Sequence, residues 1–404
     1  MSKMKFCKVC NAETVKEFMS FGKMPMGNMF LKKDHFGEEK THELKIGFCE
    51  QCKLVQQIDL PPPELLEADY GNYAYVPFGK SLRENLANLG LSLYTDFKMN
   101  KDSFVLDLGS NDGTLLEPLK DKCKILGIEP ARNISEIARK RGVPTITSFF
   151  TSQIAKEILQ KQGRPDAVTV TQVLQHIPDL NQFIGDIGSI IKESGVLVIE
   201  GRYFRDTLRK SSYDTVYNET LYLFTLSSIK NLLERHQFHL FRAELNDVYG
   251  GSLRIYARKN AQGKEASVEK ILEDEKKGGI GEFETYEKFA KSAYKLKDEL
   301  NELIKGLKEK KIVAYGASST SATLLNFCEI TKEQVSYIID DSPLKQGLYA
   351  PLTHIPIVSS DILDKEKPDY ILLLIWRLKE EILPKIEKYN VPIIIPLPEV
   401  KIVS

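Results

Sequence analysis

The segment 105–116 changes character at its centre, and this change limits the folds that the chain can adopt. Its first four residues, Val-Leu-Asp-Leu, form an apolar strand-like run, after which Gly109 opens a small acidic turn and a helical pattern follows. Glycine lets the backbone approach a ligand where a Cβ would clash, and the first N–H groups of a helix lack partners. We therefore predict a strand, a ligand-binding turn and a helix that begins near Gly113.

A second strand-like run, Lys124–Ile128, is followed directly by Glu129. A carboxylate at the end of this strand can accept hydrogen bonds from both hydroxyls of a ribose. The turn lacks the G-x-G-x-x-G pattern, and Asp112 within it would repel a pyrophosphate. A phosphate-free adenosine ligand with positive charge fits better than a dinucleotide, so we predict S-adenosylmethionine (SAM) as the cofactor. An α/β turn without a ligand is the alternative.

The bulk composition excludes several classes of protein. The 404 residues are too many for one ordinary core and predict about two or three domains. The 56 basic and 56 acidic residues cancel, so charge gives no reason to expect nucleic acid or a membrane as a partner. No apolar run approaches the roughly 18–20 residues that cross a bilayer, and the first residues do not form a signal core. We expect a cytoplasmic monomer that acts on a small molecule.

Four of the six cysteines form two C-x-x-C pairs, Cys7 with Cys10 and Cys49 with Cys52. Two such pairs allow four thiolates to converge tetrahedrally on one Zn²⁺ and leave no open position for a substrate water. We therefore predict a structural zinc site. A redox or disulfide pair is the alternative, although the segment does not resemble the βαβ context of a thioredoxin-like motif.

The periodicity of the sequence divides the chain into four parts. Residues 1–62 form the zinc-binding module. Residues 63–260 alternate strand and helix, which predicts a parallel sheet with right-handed crossovers in a Rossmann-like SAM-binding domain. Residues 261–308 are rich in Lys and Glu at helical spacing and are predicted to form a solvated helical connector. Residues 309–404 form a C-terminal Rossmann-like α/β domain for the substrate.

The last two predicted strands of the SAM-binding part lie near 238–245 and over Ser252–Arg258. They meet at Gly250-Gly251, which predicts a hairpin that adds an antiparallel edge to the parallel sheet. Antiparallel closure is typical of methyltransferases, whereas dinucleotide-binding folds more often stay parallel.

The C-terminal part begins with a second pattern of strand, glycine turn and helix. Its turn, Gly-Ala-Ser-Ser-Thr at 316–320, contains hydroxyls and no acidic residue beside the start of a helix. Such a turn can bind a phosphate. We predict that Gly316, Ser318 and Ser319 bind a phosphorylated substrate, and an ordinary β–Gly–α turn is the alternative.

In this order along the chain, the motifs resemble those of the nucleotide-sugar C-methyltransferases that act on thymidine-diphosphate-linked 4-keto deoxysugars. The resemblance is carried by the four cysteines, Leu106-Asp-Leu-Gly-Ser-Asn-Asp-Gly-Thr-Leu115, Gly127-Ile-Glu-Pro130, His176-Ile-Pro-Asp179, Gly250-Gly-Ser-Leu-Arg254, Tyr315-Gly-Ala-Ser318, Lys345-Gln-Gly347 and Thr353-His-Ile-Pro-Ile-Val358. It implies a three-domain enzyme with SAM in the central domain and the nucleotide sugar in the cleft toward the C-terminal domain. It also implies that a base removes the proton beside the keto group and that the enolate carbon takes the methyl group of SAM.

The resemblance breaks down at the expected general base. Family members have a Tyr-His-Glu-His stretch whose last histidine is the favoured base, whereas this chain has Tyr-Asn-Glu-Thr at 217–220. The hydroxyl of Thr220 has no useful basicity near neutral pH. The surviving candidates are Glu219, whose pKa an apolar wall would raise, and then His176 or Tyr217. A nucleophilic oxygen or nitrogen would need a weaker base and would tolerate Thr220.

By the same resemblance, further residues are assigned to the cofactor and to the acceptor. The predicted SAM ligands are Asp107, Gly109, Asn111, Asp112, Gly113, Glu129, Phe149, Phe150 and Gln172. The predicted acceptor residues are Tyr73, Tyr249 and Arg254, and Tyr75 joins the catalytic group. In these assignments Glu129 binds the ribose, the two phenylalanines lie near the adenine, and Arg254 pairs with a diphosphate.

Together these observations predict a SAM-dependent methyltransferase that acts on a nucleotide-linked deoxysugar, with methylation at carbon favoured by the resemblance. One alternative is a SAM-dependent methyltransferase with a different phosphorylated or carbonyl acceptor, or with an oxygen or nitrogen nucleophile. Another alternative is a non-catalytic relative that binds a nucleotide sugar or a partner protein.

Overall fold

The computed structural model describes residues 6–68, 80–260, 263 and 265–403, which form three β-sheets of four, seven and six strands. The α/β class predicted from the sequence is confirmed, with a cysteine-bearing N-terminal module followed by two Rossmann-like sheets. No helix in the described residues is long and apolar enough to cross a membrane.

The N-terminal module is built on an antiparallel meander. Its strands are β1 (Val15–Pro25), β2 (Thr41–Cys49) and β3 (Val55–Gln57). The fourth strand of this sheet, Tyr222–Leu223, comes from much later in the chain and pairs with β3. The first sheet therefore includes a piece of the region that the sequence assigned to the SAM-binding domain.

The central region alternates strands and helices. Its elements are α1 (Pro63–Ala68), α2 (Lys80–Asp96), β4 (Phe104–Leu108), β5 (Lys124–Ile128), α3 (Arg132–Lys140), β6 (Thr145–Ile146), α4 (Ser152–Gln162), β7 (Ala167–Thr171), α5 (Leu180–Ile190), β8 (Val196–Arg202), α6 (Phe204–Arg209), β9 (Tyr222–Leu223), α7 (Leu226–Arg235), β10 (His239–Asn246) and β11 (Ser252–Arg258). Strands β4 to β8 are parallel neighbours, and β11 joins β8 in the antiparallel sense with β10 outside it. The predicted hairpin edge is confirmed.

The order of the central sheet is β10-β11-β8-β7-β4-β5-β6. The chain leaves β4 toward β5 on one side and returns to β7 on the other. A crevice opens where the winding direction of a parallel sheet reverses, beyond the carboxyl ends of its strands. The fold therefore places a ligand site at the ends of β4, β5 and β7.

The helix predicted to begin near Gly113 is not formed. Gly113 has φ +80°, which an α-helix does not accept, and an added Cβ would lie 2.9 Å from Cγ2 of Val143. The backbone makes one turn after it, and a short 3₁₀ helix follows at Glu117–Leu119 with Pro118 inside it. The glycine thus allows close packing on Val143 and does not open a helix.

Two helices connect the central region to the C-terminal sheet. They are α8 (Ala266–Lys277) and α9 (Phe283–Gly306). The C-terminal elements are β12 (Ile312–Tyr315), α10 (Ser319–Phe327), β13 (Ile338–Ile339), β14 (Ile357–Val358), α11 (Ile362–Lys365), β15 (Tyr370–Leu373), α12 (Lys379–Ile386), β16 (Ile393–Ile395) and β17 (Lys401–Val403). Their sheet has the order β14-β13-β12-β15-β16-β17, and only β17 is antiparallel to its neighbour.

The largest hydrophobic core joins the first sheet to the C-terminal domain through α9. The rings of Phe48 and Tyr286 lie 4.3 Å apart, and those of Phe21 and Phe327 lie 5.0 Å apart. The sequence predicted a solvated connector here. Helix α9 instead buries one apolar face, because that face packs against the hydrophobic side of the N-terminal sheet.

Candidate active site

A cleft of about 490 Å³ lies at the carboxyl ends of the central strands. It occupies the position where the strand order reverses. The predicted cofactor residues that line it are Asp107, Gly109, Asn111, Asp112, Glu129, Phe149, Phe150 and Gln172. Gly113, the ninth predicted SAM ligand, packs behind the turn and does not line the cleft.

Gly109 starts the turn between β4 and the cleft. It has φ +74°, and an added Cβ would lie 2.2 Å from Cγ2 of Val173. Its N–H and that of Ser110 both donate to the carbonyl of Ile128 at the end of β5, at 2.8 and 3.0 Å. Only glycine fits this close approach, and the turn is held to the neighbouring strand.

Glu129 follows β5 and presents a buried carboxylate to the cleft. The backbone N–H groups of Asn111 and Ala131 donate to its two oxygens at 3.0 and 2.8 Å. Burial raises the pKa of Glu129 to about 7, although these two hydrogen bonds oppose the rise. A ligand that brings two hydroxyl donors, such as a ribose, would complete the coordination of this carboxylate.

Asp107 is a second buried carboxylate beside the cleft. Its side chain accepts a hydrogen bond from Oγ1 of Thr169 at 2.6 Å. Burial raises the pKa of Asp107 to about 7. Neither of these two buried acids forms an ion pair with a described residue, and such acids fit a ligand that is positively charged and rich in donors.

Asp112 does not act as the sequence predicted. The predicted repulsion of a pyrophosphate assumed a free carboxylate, but Nη1 of Arg83 and Nη1 of Arg141 lie 3.0 and 2.6 Å from its Oδ2. Its other oxygen accepts from the hydroxyl of Thr114 at 2.6 Å. The charge is neutralised within the protein, so that argument against a dinucleotide was wrong. The fit to SAM rests on Glu129 and Asp107 instead.

Asp186 is an ionisable residue of the cleft that the sequence analysis did not predict. Asp186 lies on α5, where it is buried and lines the cleft. It accepts hydrogen bonds from Oγ of Ser152 at 2.9 Å and from Nε2 of Gln182 at 3.0 Å. The available signal was an aspartate in the middle of the apolar run Phe-Ile-Gly-Asp-Ile, where a buried acid needs partners.

The four predicted zinc ligands converge in the N-terminal module. Their Sγ atoms all lie within 4.8 Å of one another. The pairs Cys7–Cys52 and Cys10–Cys49 are 3.4 and 3.6 Å apart, near the spacing of about 3.8 Å that tetrahedral Zn–S bonds impose. Each close pair joins one knuckle to the other, so the arrangement fits a single Zn²⁺ and not two separate redox pairs. The ion would be held by four protein sulfurs and would be structural.

Comparison with known proteins agrees with this organisation. A model of the C-methyltransferase C-terminal domain matches residues 247–398, a methyltransferase domain matches 80–242, and a zinc binding domain matches 7–66. The C-methyltransferase NovU of Streptomyces niveus is 29% identical over 408 aligned residues, which cover 98% of this chain and 96% of that protein.

The chain is therefore similar over nearly its whole length to a C-methyltransferase. It is a SAM-dependent methyltransferase, and SAM and zinc are its cofactors. The Ubiquinone biosynthesis O-methyltransferase of Vibrio parahaemolyticus serotype O3:K6 is 27% identical, but over only 32% of this chain and 51% of its own length. Among solved structures, the magnesium protoporphyrin IX methyltransferase of Synechocystis PCC 6803 with bound SAM has a TM-score of 0.35 at 16% identity, covering 49% of this chain and 92% of its own.

On the acceptor side of the site, Glu219 lines the same cleft and is 7% exposed. Its Oε1 accepts a hydrogen bond from the backbone N–H of Asn28 at 3.1 Å. Its Oε2 is buried and has no partner among the described residues. Burial raises the pKa of Glu219 above its ordinary value, and the backbone N–H groups of Gly27 and Asn28 partly oppose this rise.

His176 also lines the cleft, but both of its ring nitrogens are already in contact with the protein. Nδ1 lies at hydrogen-bond distance from the carbonyl oxygen of Glu219, and Nε2 lies 3.2 Å from Nε2 of Gln175. Burial lowers the pKa of His176 to about 4, so the ring is neutral near pH 7. The ring of Tyr217 lies 6.3 Å from it. These contacts fit a role in holding the backbone of Glu219.

The predicted acceptor residues are placed differently from one another. Tyr249 lines the cleft and has φ +57°. Arg254 lies within β11, where its guanidinium pairs with Glu200 and donates to Oδ1 of Asn85 at 2.9 Å. Arg254 does not line the cleft and is not available to a diphosphate in this structure. The catalytic and acceptor assignments of Tyr75 and Tyr73 lie outside the described residues.

The structure leaves little room for the phosphate site that was predicted at the C-terminal glycine turn. The N–H of Ala317 donates to Oδ2 of Asp340 at 2.7 Å, and Oγ of Ser318 accepts from the N–H of Ser321. Ser319 is buried, and an added Cβ on Gly27 would lie 2.8 Å from its Cβ. The third residue predicted there, Gly316, is closely covered by Ile375. The N-terminal module thus packs onto the start of α10, and little space or donor capacity is left for a phosphate.

Proposed function

We propose that this methyltransferase methylates the carbon beside the keto group of a nucleotide-linked deoxysugar, with thymidine diphosphate as the expected carrier. The observation that carries the proposal is the carboxylate of Glu219. It is buried, it lines the cleft that fits SAM, and one of its oxygens has no partner among the described residues. A carbon acid depends strongly on such a base, whereas a hydroxyl or amine acceptor is less demanding of one.

In this reaction, the residues around Glu219 would have the following roles. Oε2 of Glu219 takes the proton from the carbon next to the ketone, and the N–H of Asn28 holds the other oxygen so that the first one faces the substrate. Burial keeps the pKa of Glu219 high enough for it to remove such a proton. SAM supplies an electrophilic methyl group when it is bound. The neutral His176 fixes the backbone beneath the base and takes no proton.

A cation near the cleft supports an anionic carrier. Arg202 lies at the end of β8 with its guanidinium 5.8 Å from the ring of Tyr249, which lines the cleft. Its Nη1 is buried without a partner among the described residues. The nearby Arg254 is paired with Glu200. A guanidinium at this position that pairs with no described carboxylate favours an acceptor that carries phosphate.

A second candidate function has one observation in its favour. The C-terminal turn leaves little space for a phosphate. An acceptor without a diphosphate, methylated on carbon, oxygen or nitrogen, would meet no mismatch there. That function would still use the SAM cleft, but it would leave the raised pKa of Glu219 without a role.

The test is turnover with defined acceptors. The enzyme is incubated with SAM and a panel of thymidine-diphosphate 4-keto and 4-amino sugars, and products are followed by mass spectrometry for a gain of about 14 mass units and for release of S-adenosylhomocysteine. NMR of the product then locates the methyl group. Methylation at carbon of a 4-keto sugar supports the proposal. Methylation at oxygen or nitrogen, or no turnover of any nucleotide sugar despite SAM binding, favours the second function.

A further inference from the structure

The loop that carries Glu219 is held by the zinc-binding module. Nε2 of Gln57, at the end of β3, lies 3.2, 2.9 and 2.9 Å from the carbonyl oxygens of Tyr217, Asn218 and Thr220. Gln57 is fully buried. One amide side chain therefore contacts the backbone on both sides of the proposed base.

The loop that carries Glu219 also donates hydrogen bonds to the zinc-binding module. Nδ2 of Asn218 donates to the carbonyls of Met24 and Pro25 at 2.7 and 3.0 Å. The N–H of Asn28, in the same connection after β1, donates to the carboxylate of Glu219. The position of this carboxylate is thus set by residues that precede and follow it in the loop and by the module on which the loop rests.

The strand that carries Gln57 is in turn fixed by the cysteine knuckles. The N–H of Lys8, inside the first knuckle, donates to Oε1 of Gln56 at 2.9 Å. The N–H of Cys49, in the second knuckle, donates to the carbonyl of Leu54 at 2.8 Å, directly before β3. Hydrogen bonds therefore connect both cysteine knuckles to the strand that carries Gln57.

Removal of the Gln57 amide would have two effects. The NH₂ group has two protons, and the carbonyl of Tyr217 also accepts from the N–H of Thr220 at 2.8 Å. The buried carbonyls of Asn218 and Thr220 would therefore lose a donor, which costs about 1–3 kcal/mol for each group left unsatisfied. The loop would also be free to shift, and a displacement of about 1 Å in a reacting group can cost about 100-fold in rate. The cofactor half of the cleft, built on β4 and β5, receives no hydrogen bond from Gln57.

We propose that Gln57 is a positioning residue for Glu219, and that metal binding by the four cysteines acts through it on methyl transfer and not on cofactor binding. The inference rests on the proposed role of Glu219 as the base. It gives the zinc-binding module a part in the reaction, although its cysteines do not line the cleft.

The test compares Gln57→Leu with a matched change, Gln162→Leu, at an exposed position on α4. We expect Gln57→Leu to lower kcat about 100-fold, while the dissociation constant for S-adenosylhomocysteine stays within about twofold of the wild-type value. Hydrogen exchange should quicken in segment 217–223 and stay unchanged in segment 104–116. The control variant should match the wild type in all three measurements.

The pH profile separates positioning from general damage. A loosened loop admits water to Glu219, and since burial is what raises its pKa, the acid limb of kcat should move to lower pH in Gln57→Leu. An unchanged kcat, or a parallel loss of S-adenosylhomocysteine binding, would overturn the inference. Full activity in Glu219→Gln would overturn the base itself, whereas loss of activity in Glu219→Gln but not in Gln57→Leu would overturn only the role of Gln57.

Removal of the metal provides the second arm. Chelation of the holoenzyme should accelerate exchange in segment 217–223 and abolish methyl transfer, with S-adenosylhomocysteine binding retained. If the metal-free protein keeps segment 217–223 protected, or loses cofactor binding together with activity, zinc does not act through Gln57.

Discussion

Glu129 and Glu219 are both buried carboxylates in the same cleft, yet their surroundings differ. Both oxygens of Glu129 already accept backbone hydrogen bonds, so this side chain is fixed in place as an acceptor. Glu219 has one oxygen held by Asn28 and one without a partner among the described residues. A fixed acceptor suits recognition of a ligand, and an oxygen with spare capacity suits proton transfer.

The raised pKa of Glu129 gives SAM binding a predicted pH dependence. The ribose hydroxyls need the ionised carboxylate as acceptor, and burial raises the pKa of Glu129 to about 7 in the free protein. The affinity for SAM should therefore be highest well above pH 7 and should fall as the pH drops through this value. We expect S-adenosylhomocysteine to bind about tenfold more weakly at pH 6 than at pH 8, as measured by calorimetry.

A matched variant checks the source of this dependence. Glu129→Gln should bind more weakly at pH 8 and show little change between the two pH values. An equally steep dependence in Glu129→Gln would assign it to another group, with Asp107 the next candidate because its pKa is also raised to about 7.

Residue spacing was enough to predict some of these positions. The C-x-x-C pairs, Gly109 and Glu129 are local signals, because each follows from its immediate neighbours in the sequence. The neutral His176 and the paired Asp112 were not predictable in this way. Their states depend on partners far away in the sequence, such as the carbonyl of Glu219 and the guanidinium of Arg141.

At the scale of elements, the turn after β4 is the tightest feature of the cofactor site. Gly109 is in the left-handed region at φ +74°, and the methyl groups of Val173 occupy the space where a Cβ would project. The turn thus depends on glycine for conformation and for space. These two requirements can be separated by experiment.

We predict that Gly109→Ala lowers both stability and SAM affinity, whereas Gly163→Ala lowers stability alone and by less. Gly163 has a similar φ of +84° with ψ −170°, but no atom lies within 4 Å of its added Cβ, so its replacement costs only backbone strain of about 1–3 kcal/mol. The difference between the two variants isolates the clash with Val173. Thermal unfolding and S-adenosylhomocysteine titration measure both effects.

The double variant Gly109→Ala, Val173→Ala should recover part of the lost affinity, because it removes the obstructing methyl groups. Equal behaviour of Gly109→Ala and Gly163→Ala would show that space at the turn does not matter.

The elements that the sequence did not predict are those made by distant pairing. Strand β9 is two residues long and exists because it pairs with β3 in the N-terminal sheet. Its sequence alone gives no reason to expect a strand there. For the same reason the contacts of Gln57 with segment 217–220 could not be foreseen, whereas the alternating strands β4 to β8 could.

At the scale of the whole molecule, a buried ion pair joins the central and C-terminal regions. Asp214 is fully buried and accepts hydrogen bonds from Nε1 of Trp376 at 3.1 Å and Nη1 of Arg377 at 2.9 Å. Nη2 of Arg377 contacts its second oxygen. A bidentate pair of this kind fixes orientation as well as distance.

Loss of one member should destabilise the protein strongly. We expect Asp214→Asn to lower the free energy of unfolding by about 3–5 kcal/mol, since it leaves the buried guanidinium of Arg377 without a counter-charge. Urea denaturation provides the measurement. The exposed pair Glu157–Lys161 is the control, and Glu157→Gln should cost at most about 0.5 kcal/mol. A similar small effect of Asp214→Asn would show that the pair contributes little.

The order of the modules was predictable from the sequence, but their packing was not. The sequence treated the zinc-binding module as separate and the C-terminal turn as open to a phosphate. In the structure the connection around Gly27 covers that turn at Ser319, and the next residue along, Asn28, binds Glu219. Contacts among the N-terminal module, the C-terminal turn and the loop of Glu219 join residues far apart in the sequence, so local sequence patterns do not predict them.

The most direct test of the central claim is proton exchange at the acceptor carbon in D₂O without SAM. If Glu219 removes the proton beside the ketone, the wild-type enzyme should exchange it in a thymidine-diphosphate 4-keto sugar, which gains about one mass unit relative to a control without enzyme. Glu219→Gln should abolish this exchange, and Glu157→Gln should leave it intact. Undiminished proton exchange in Glu219→Gln would contradict the account. Undiminished methylation at carbon in the same variant would contradict it as well.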